Sequence, residues 1–132
     1  MTQAKKLHFI IIDDSKLDCF IADKIIRNTG KCESVTTFLQ ATEAIEYIAK
    51  TPPHDEHTRT IVLVDIQMPV MNGFEFVEAF EKLPPSVIKH YTLYVISSSI
   101  NENDIYKLQN YASVKQFLNK PLTSNTLAAI LG

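Results

Sequence analysis

Asp65 closes the run Ile61-Val62-Leu63-Val64-Asp65 and is followed at once by Ile66-Gln67-Met68-Pro69-Val70-Met71-Asn72-Gly73. The apolar residues, three of the four β-branched, read as a buried strand. A carboxylate at its end has no packing rationale, because burying a charge is costly unless it is paired or coordinated. Pro69 and Asn72-Gly73 are loop signals. Two other places have the same form: Asp13-Asp14 follows Phe9-Ile10-Ile11-Ile12, and Lys120-Pro121 follows Phe117-Leu118-Asn119. Three strand ends thus carry three acids and a base. Strand ends of this kind form the mouth of an open α/β sheet, where ligands bind.

The elements that must position these residues alternate along the chain. Strands are expected at Leu7 to Ile12, Ser34 to Phe38, Ile61 to Asp65, Tyr91 to Ile96 and Lys115 to Leu118. The first helix spans Lys16 to Thr29, with Leu17, Phe20, Ile21 and Ile25 as its apolar stripe and Gly30 as its stop. Ala41, Ala44, Ile45 and Ile48 mark the second helix. Phe74, Val77, Phe80 and Leu83 mark the third, ended by Pro84-Pro85. A fourth runs from Glu102 to Tyr111 on Ile105 and Leu108, and a short fifth from Thr123 to Leu131. Thr51 to Thr60 reads as a polar loop. Alternating strands and helices argue for a parallel sheet covered on both faces. Right-handed crossovers then bring all the strand C-termini to one edge, where Asp13, Asp14, Asp65, Ser97 and Lys120 converge.

Composition narrows the function classes. At 132 residues the chain is one domain, with Met1 to Lys6 as a polar tail. A hydrophobic fraction of 45% excludes disorder as the default, and a net charge of -2 with interspersed signs gives no basic face for nucleic acid. The apolar runs are far too short for a membrane span, and the one from Leu7 breaks at Asp13 before it could serve as a signal core. A cytoplasmic location follows. Cys19 and Cys32 lack CxxC spacing and read as two reduced thiols.

Asp13-Asp14, Asp65 in D-x-x-M-P-x-M-N-G, Ser97 after the fourth strand and Lys120-Pro121 after the fifth together resemble the receiver domain of two-component response regulators. Each element alone is common; the set in this order is specific and spans essentially the whole chain. The resemblance implies a five-stranded doubly wound (βα)5 sheet, flavodoxin-like, with strand order 2-1-3-4-5. With no room in 132 residues for an output domain, it implies a stand-alone receiver similar to the chemotaxis type.

By that resemblance Asp65 is the phosphoacceptor, taking a phosphoryl group from a sensor histidine kinase or a histidine phosphotransfer protein. Mg²⁺ is the implied cofactor. Asp14 is its direct ligand, Asp13 holds a metal-bound water, and Asp65 and the Gln67 carbonyl complete the protein ligands. Lys120 binds a phosphoryl oxygen, the Ser97 hydroxyl donates to another after transfer, and Phe117 is the switch aromatic. A cis Lys120-Pro121 bond is implied on the same ground. The downstream partner is unknown, and a weak homodimer is left open.

Other readings compete at individual residues. Ser97 could simply cap the next helix, and Phe117 could be plain core. His54 and His57 fit no metal motif and read as solvated loop. His8 reads as structural. Glu43, Glu46, Glu75, Glu78 and Glu81 read as solvated helix faces. At the level of function, an Asp-nucleophile phosphatase of the haloacid dehalogenase type needs an acid two residues after Asp65, where Gln67 stands. An FMN carrier needs a Ser/Thr/Gly-rich phosphate loop where Asp13-Asp14-Ser15-Lys16 stands. An unphosphorylated pseudo-receiver has no reason to carry all the acids and Lys120. The expected function is therefore a signalling switch rather than a turnover enzyme.

Overall fold

The computed structural model describes residues 6–51, 58–99 and 101–131, with Lys6 described in its backbone only. The strands are β1 (Lys6–Ile12), β2 (Ser34–Phe38), β3 (Thr58–Asp65), β4 (Tyr91–Ser97) and β5 (Val114–Asn119). The helices are α1 (Lys16–Asn28), α2 (Ala41–Lys50), α3 (Gly73–Glu81), α4 (Pro85–Ile88), α5 (Glu102–Leu108) and α6 (Ser124–Leu131). All strand pairs are parallel, in the order β2-β1-β3-β4-β5. This is the doubly wound sheet the alternation predicts.

The period-2 rule divides the core into two layers. Ile10, Ile12, Val62, Val64, Leu93 and Val95 pack with Ala44 and Ile48 of α2, Phe76 and Phe80 of α3, and Leu108 of α5. The alternate residues Phe9, Ile11, Ile61, Leu63, Tyr94 and Ile96 pack with Cys19, Ala22 and Ile26 of α1 and Leu127 of α6. Because both faces of the central strands are buried, β1, β3 and β4 read as continuous apolar runs rather than alternating ones.

Several expected boundaries move. Thr58, Arg59 and Thr60 belong to β3, where they pair with Lys6, Leu7 and His8. The polar loop is therefore shorter than its composition suggests, and His54 and His57 lie outside the described residues. Lys6 joins β1 rather than a tail. The proline pair does not simply end α3, which stops at Glu81; Pro85 opens the extra one-turn helix α4 as its first residue. Ile105 of α5 is exposed and only Leu108 is buried there. Cys19 and Cys32 are both free. Among the described residues no helix is long and apolar enough to cross a membrane.

The largest correction concerns α1. Leu17 and Phe20 are 66% and 58% exposed, and Ile21 is exposed as well; of the expected stripe only Ile25 packs against the core. The inner face is instead Cys19, Ala22 and Ile26. Two small residues set helix against sheet, and one large one fills the gap between them. The two faces make opposite predictions. Ile26→Ala should lower stability by about 2–5 kcal/mol through a cavity, whereas Phe20→Ser should change it by less than about 1 kcal/mol. Urea unfolding of both variants checks the assignment, and equal losses would contradict it.

Candidate functional site

β1, β3 and β5 each end at the same edge of the sheet. Asp13 follows β1, and its N–H donates to Phe38 O at 3.0 Å, which fixes it against the end of β2. Asp65 is the last residue of β3, held by Gly73. A Cβ on Gly73 would lie 2.7 Å from Asp65 O and 2.8 Å from Ile66 Cα, so only glycine lets α3 start this close to the acid. Lys120 follows β5, and its N–H donates to Ser97 O at 3.0 Å.

The side chains converge. Lys120 Nζ lies 2.7 Å from Asp13 Oδ2 and 2.9 Å from Asp65 Oδ2. The other oxygens face backbone: Ser15 N–H donates to Asp13 Oδ1 at 3.0 Å, and Gln67 N–H donates to Asp65 Oδ1 at 3.1 Å. Asp13 and Asp65 are both buried, while Asp14 beside them is exposed. Oxygens of Asp13, Asp14 and Asp65 all lie within 4.8 Å of one another. An all-oxygen donor set of this kind, with no imidazole or thiolate, fits a hard divalent cation better than zinc or copper.

The response regulator receiver domain family matches residues 9–132. The chain belongs to that family. Its fold is similar to a response regulator receiver protein from Dyadobacter fermentans, at 35% identity and TM-score 0.85 over 95% of this chain and 94% of that one. A two-component response regulator from Cytophaga hutchinsonii is 27% identical, with TM-score 0.80 over 96% and 95% of the two chains. Among curated sequences, two-component response regulator ORR1 of Oryza sativa subsp. japonica is 28% identical over 117 residues, 87% of this chain; the chain spans 49% of that relative's length.

The receiver also holds what the sequence pattern left out. Asp18 of α1 places Oδ2 2.9 Å from Lys120 Nζ, so three carboxylates share one ammonium. The signal available was an acid three residues after Ser15, which suggests helix capping and nothing more. Ser97 is buried at the same edge, but its hydroxyl is engaged with the backbone of Ser99, 3.1 Å from both its N and its O. It does not cap the next helix; Asn101 does. Phe117 lies opposite Val95 in the β4–β5 register and is half-buried against the core. The Lys120-Pro121 bond is cis.

Around this centre, Val70 is exposed with φ 69°, and Met71 N–H donates to Pro69 O at 2.8 Å across it. That is a strained three-residue turn, and a β-branched residue is poorly suited to it. His8 is structural, with Nδ1 2.6 Å from Ser34 Oγ. Not all the helix glutamates are merely solvated. Tyr111 Oη donates to Glu78, and the Ser113 N–H and hydroxyl donate to Glu81 at 2.9 and 2.6 Å, tying α3 to the turn before β5.

Electrostatics follow from burial. Burial raises the Asp13 carboxyl above its ordinary value, and the bonds from Lys120 and the Ser15 N–H only partly offset this. Burial pulls the Lys120 ammonium down, but its bonds to Asp13, Asp18 and Asp65 outweigh that and hold it above a normal lysine. Burial, then the charges of Asp13 and Asp18, push the Cys19 thiol up to about 11, which keeps it inert at neutral pH. A carboxyl raised in the folded state favours folding while protonated. Its cost is absent below the ordinary carboxylate range and grows as pH rises through the interval up to the raised value. Asp13→Asn should therefore have a higher urea midpoint than wild type at pH 7 in the presence of a chelator. The difference should close as pH falls towards 4. A lower midpoint at pH 7 would show that pairing with Lys120, not burial, dominates.

Proposed function

We propose that this receiver is a phosphorelay switch in which Asp65 accepts a phosphoryl group from a phosphohistidine of a sensor kinase or phosphotransfer protein. The observation that carries the reading is the buried Asp65 carboxylate, 2.9 Å from Lys120 Nζ and grouped with Asp13 and Asp14 at the edge where three strands end. A carboxylate oxygen forms the new P–O bond while the donor's P–N bond breaks and the imidazole keeps the bonding pair. Asp65 is paired with Ile96 in the ladder and the Gln67 N–H holds its Oδ1, so the nucleophile is oriented before any donor arrives.

Asp13, Asp14, Asp65 and the Gln67 carbonyl are the groups that hold Mg²⁺ in this reading. When bound, Mg²⁺ supplies the charge neutralisation that lets an anion attack an anion. Lys120 exchanges a carboxylate for a phosphoryl oxygen as the transfer proceeds. Gln67 offers no general acid two residues after Asp65, so the reading is of self-catalysed phosphorylation and dephosphorylation, without substrate turnover. A cytoplasmic location goes with such donors and with Mg²⁺. The chain's downstream partner reads the surface of α5, β5 and α6.

The switch begins at Ser97. Its hydroxyl, engaged here with Ser99, turns to a phosphoryl oxygen, which releases the loop after β4 and lets Phe117 move from half-buried to buried. The new bonds exist only in the phosphorylated state, so they alone supply the differential contact a population shift requires.

Incubation with Mg²⁺ and a small acyl phosphate should add one phosphate by intact mass, and Asp65→Asn should add none. A phosphorylated Asp65→Ala chain would falsify the assignment. Ser97→Ala should still take phosphate on Asp65 but lose most of the change around Phe117. NMR shifts with and without beryllofluoride test this; a full response in Ser97→Ala means the signal bypasses Ser97.

A further inference from the structure

Asp18 is placed unlike the equivalent acids of the other capped helices. In α3 and α5 the third helical residue, Glu75 or Asp104, returns its carboxylate to the N-cap N–H and closes a capping box. α1 begins the same way: Ser15 is the N-cap, and its hydroxyl accepts from Asp18 N–H at 3.2 Å. The box does not close, because the Ser15 N–H is already given to Asp13 Oδ1. The Asp18 carboxylate is thereby freed from its own helix, and it reaches Lys120 Nζ, 102 residues away in sequence.

Its exposure differs from that of its neighbours. The Asp18 side chain is 41% exposed, against 8% for Asp65 and 1% for Asp13. It is the solvent-side member of the three carboxylates on Lys120. An ammonium has three N–H donors; Lys120 gives one to Asp65 and one to Asp18, and lies 2.7 Å from Asp13 Oδ2 as an ion pair. A phosphoryl oxygen arriving at Asp65 needs one of these donors. Asp13 and Asp65 are buried and tied to backbone N–H groups, so Asp18 is the partner most easily displaced.

We propose that Asp18 is a positioning residue that acts through Lys120 as a charge filter. It occupies the donor that the phosphoryl group must take, and it fixes a negative charge at the mouth of the site. The same charge favours a divalent cation and disfavours a dianionic phosphodonor. Its effects on cation and anion therefore have opposite sign, which a merely structural contact cannot produce. The inference rests on the reading of Asp65 as acceptor.

The test compares the wild type with Asp18→Asn and Asp18→Glu. Mg²⁺ affinity is measured by calorimetry without phosphodonor. Phosphorylation rates are measured at saturating Mg²⁺ with acetyl phosphate, a dianion at neutral pH, and with phosphoramidate, a monoanion. Asp18→Asn should bind Mg²⁺ about two- to fivefold more weakly, the range of one partly exposed charge pair. It should react about two- to fivefold faster with acetyl phosphate and change less with phosphoramidate, the contrast shrinking at high salt. Asp18→Glu should behave as wild type. Unchanged Mg²⁺ affinity in Asp18→Asn, or an equal change with both donors, overturns the inference while leaving Asp65 as acceptor. A wild type that takes phosphate from neither donor fells the reading of Asp65 and this inference with it.

Discussion

A single ammonium balances a crowd of acids at the end of the sheet. Asp13, Asp14, Asp18 and Asp65 gather there, two of the four are buried, and Lys120 is the one cation paired with them among the described residues. Carboxylates this close repel, and a buried charge without a partner is expensive. The arrangement persists because Lys120 is delivered to the same point by a different strand. That delivery depends on the whole topology: β1 and β3 are neighbours, β5 is two places further, and only parallel strands with right-handed crossovers put all their C-termini on one edge. The charge balance is thus a property of the fold, assembled from segments far apart in sequence.

The supporting structure is correspondingly apolar and closely packed. Val62, Val64, Leu63 and Leu93 are fully buried between two helical layers, and they hold the strand ends in register. Gly73 lets α3 abut the Asp65 carbonyl, and Asn72 caps α3 beside it. The electrostatic cost at the edge is borne by the hydrophobic layers beneath it. The strained turn at Val70 shows that the loop after Asp65 is shaped by something other than its own backbone preference.

Much of this was legible in the residues. An acid or a base after an apolar run identified three strand ends, and alternation with helices was enough to bring them together. What escaped has physical causes. In α1, two apolar registers fit helical spacing. Hydrophobic size favours Leu17 and Phe20, yet close approach to the sheet selects Cys19 and Ala22. Thr58 and Thr60 are polar and read as loop, but Thr has high strand propensity and both are buried in β3. Pro84-Pro85 signals an interruption equally whether a helix stops or another begins. Asp18 carried a local capping pattern, and its real partner lies 102 residues on, beyond the reach of any local pattern.

β5 is an edge strand, and its ladder with β4 slips between Leu93 and Tyr94. Of its residues only Leu118 is buried. Segments with few buried contacts open at a lower free energy than the whole domain. An opening of β5 would carry Lys120 with it, while Asp13 and Asp65 stay behind on the central strands. The resulting form is folded by every global criterion, yet its buried carboxylates are left without their cation. The fraction of molecules with the charge cluster intact then follows the fraying of one margin strand rather than the melting of the domain, so amide exchange in β5 gauges the cluster where a denaturation curve cannot.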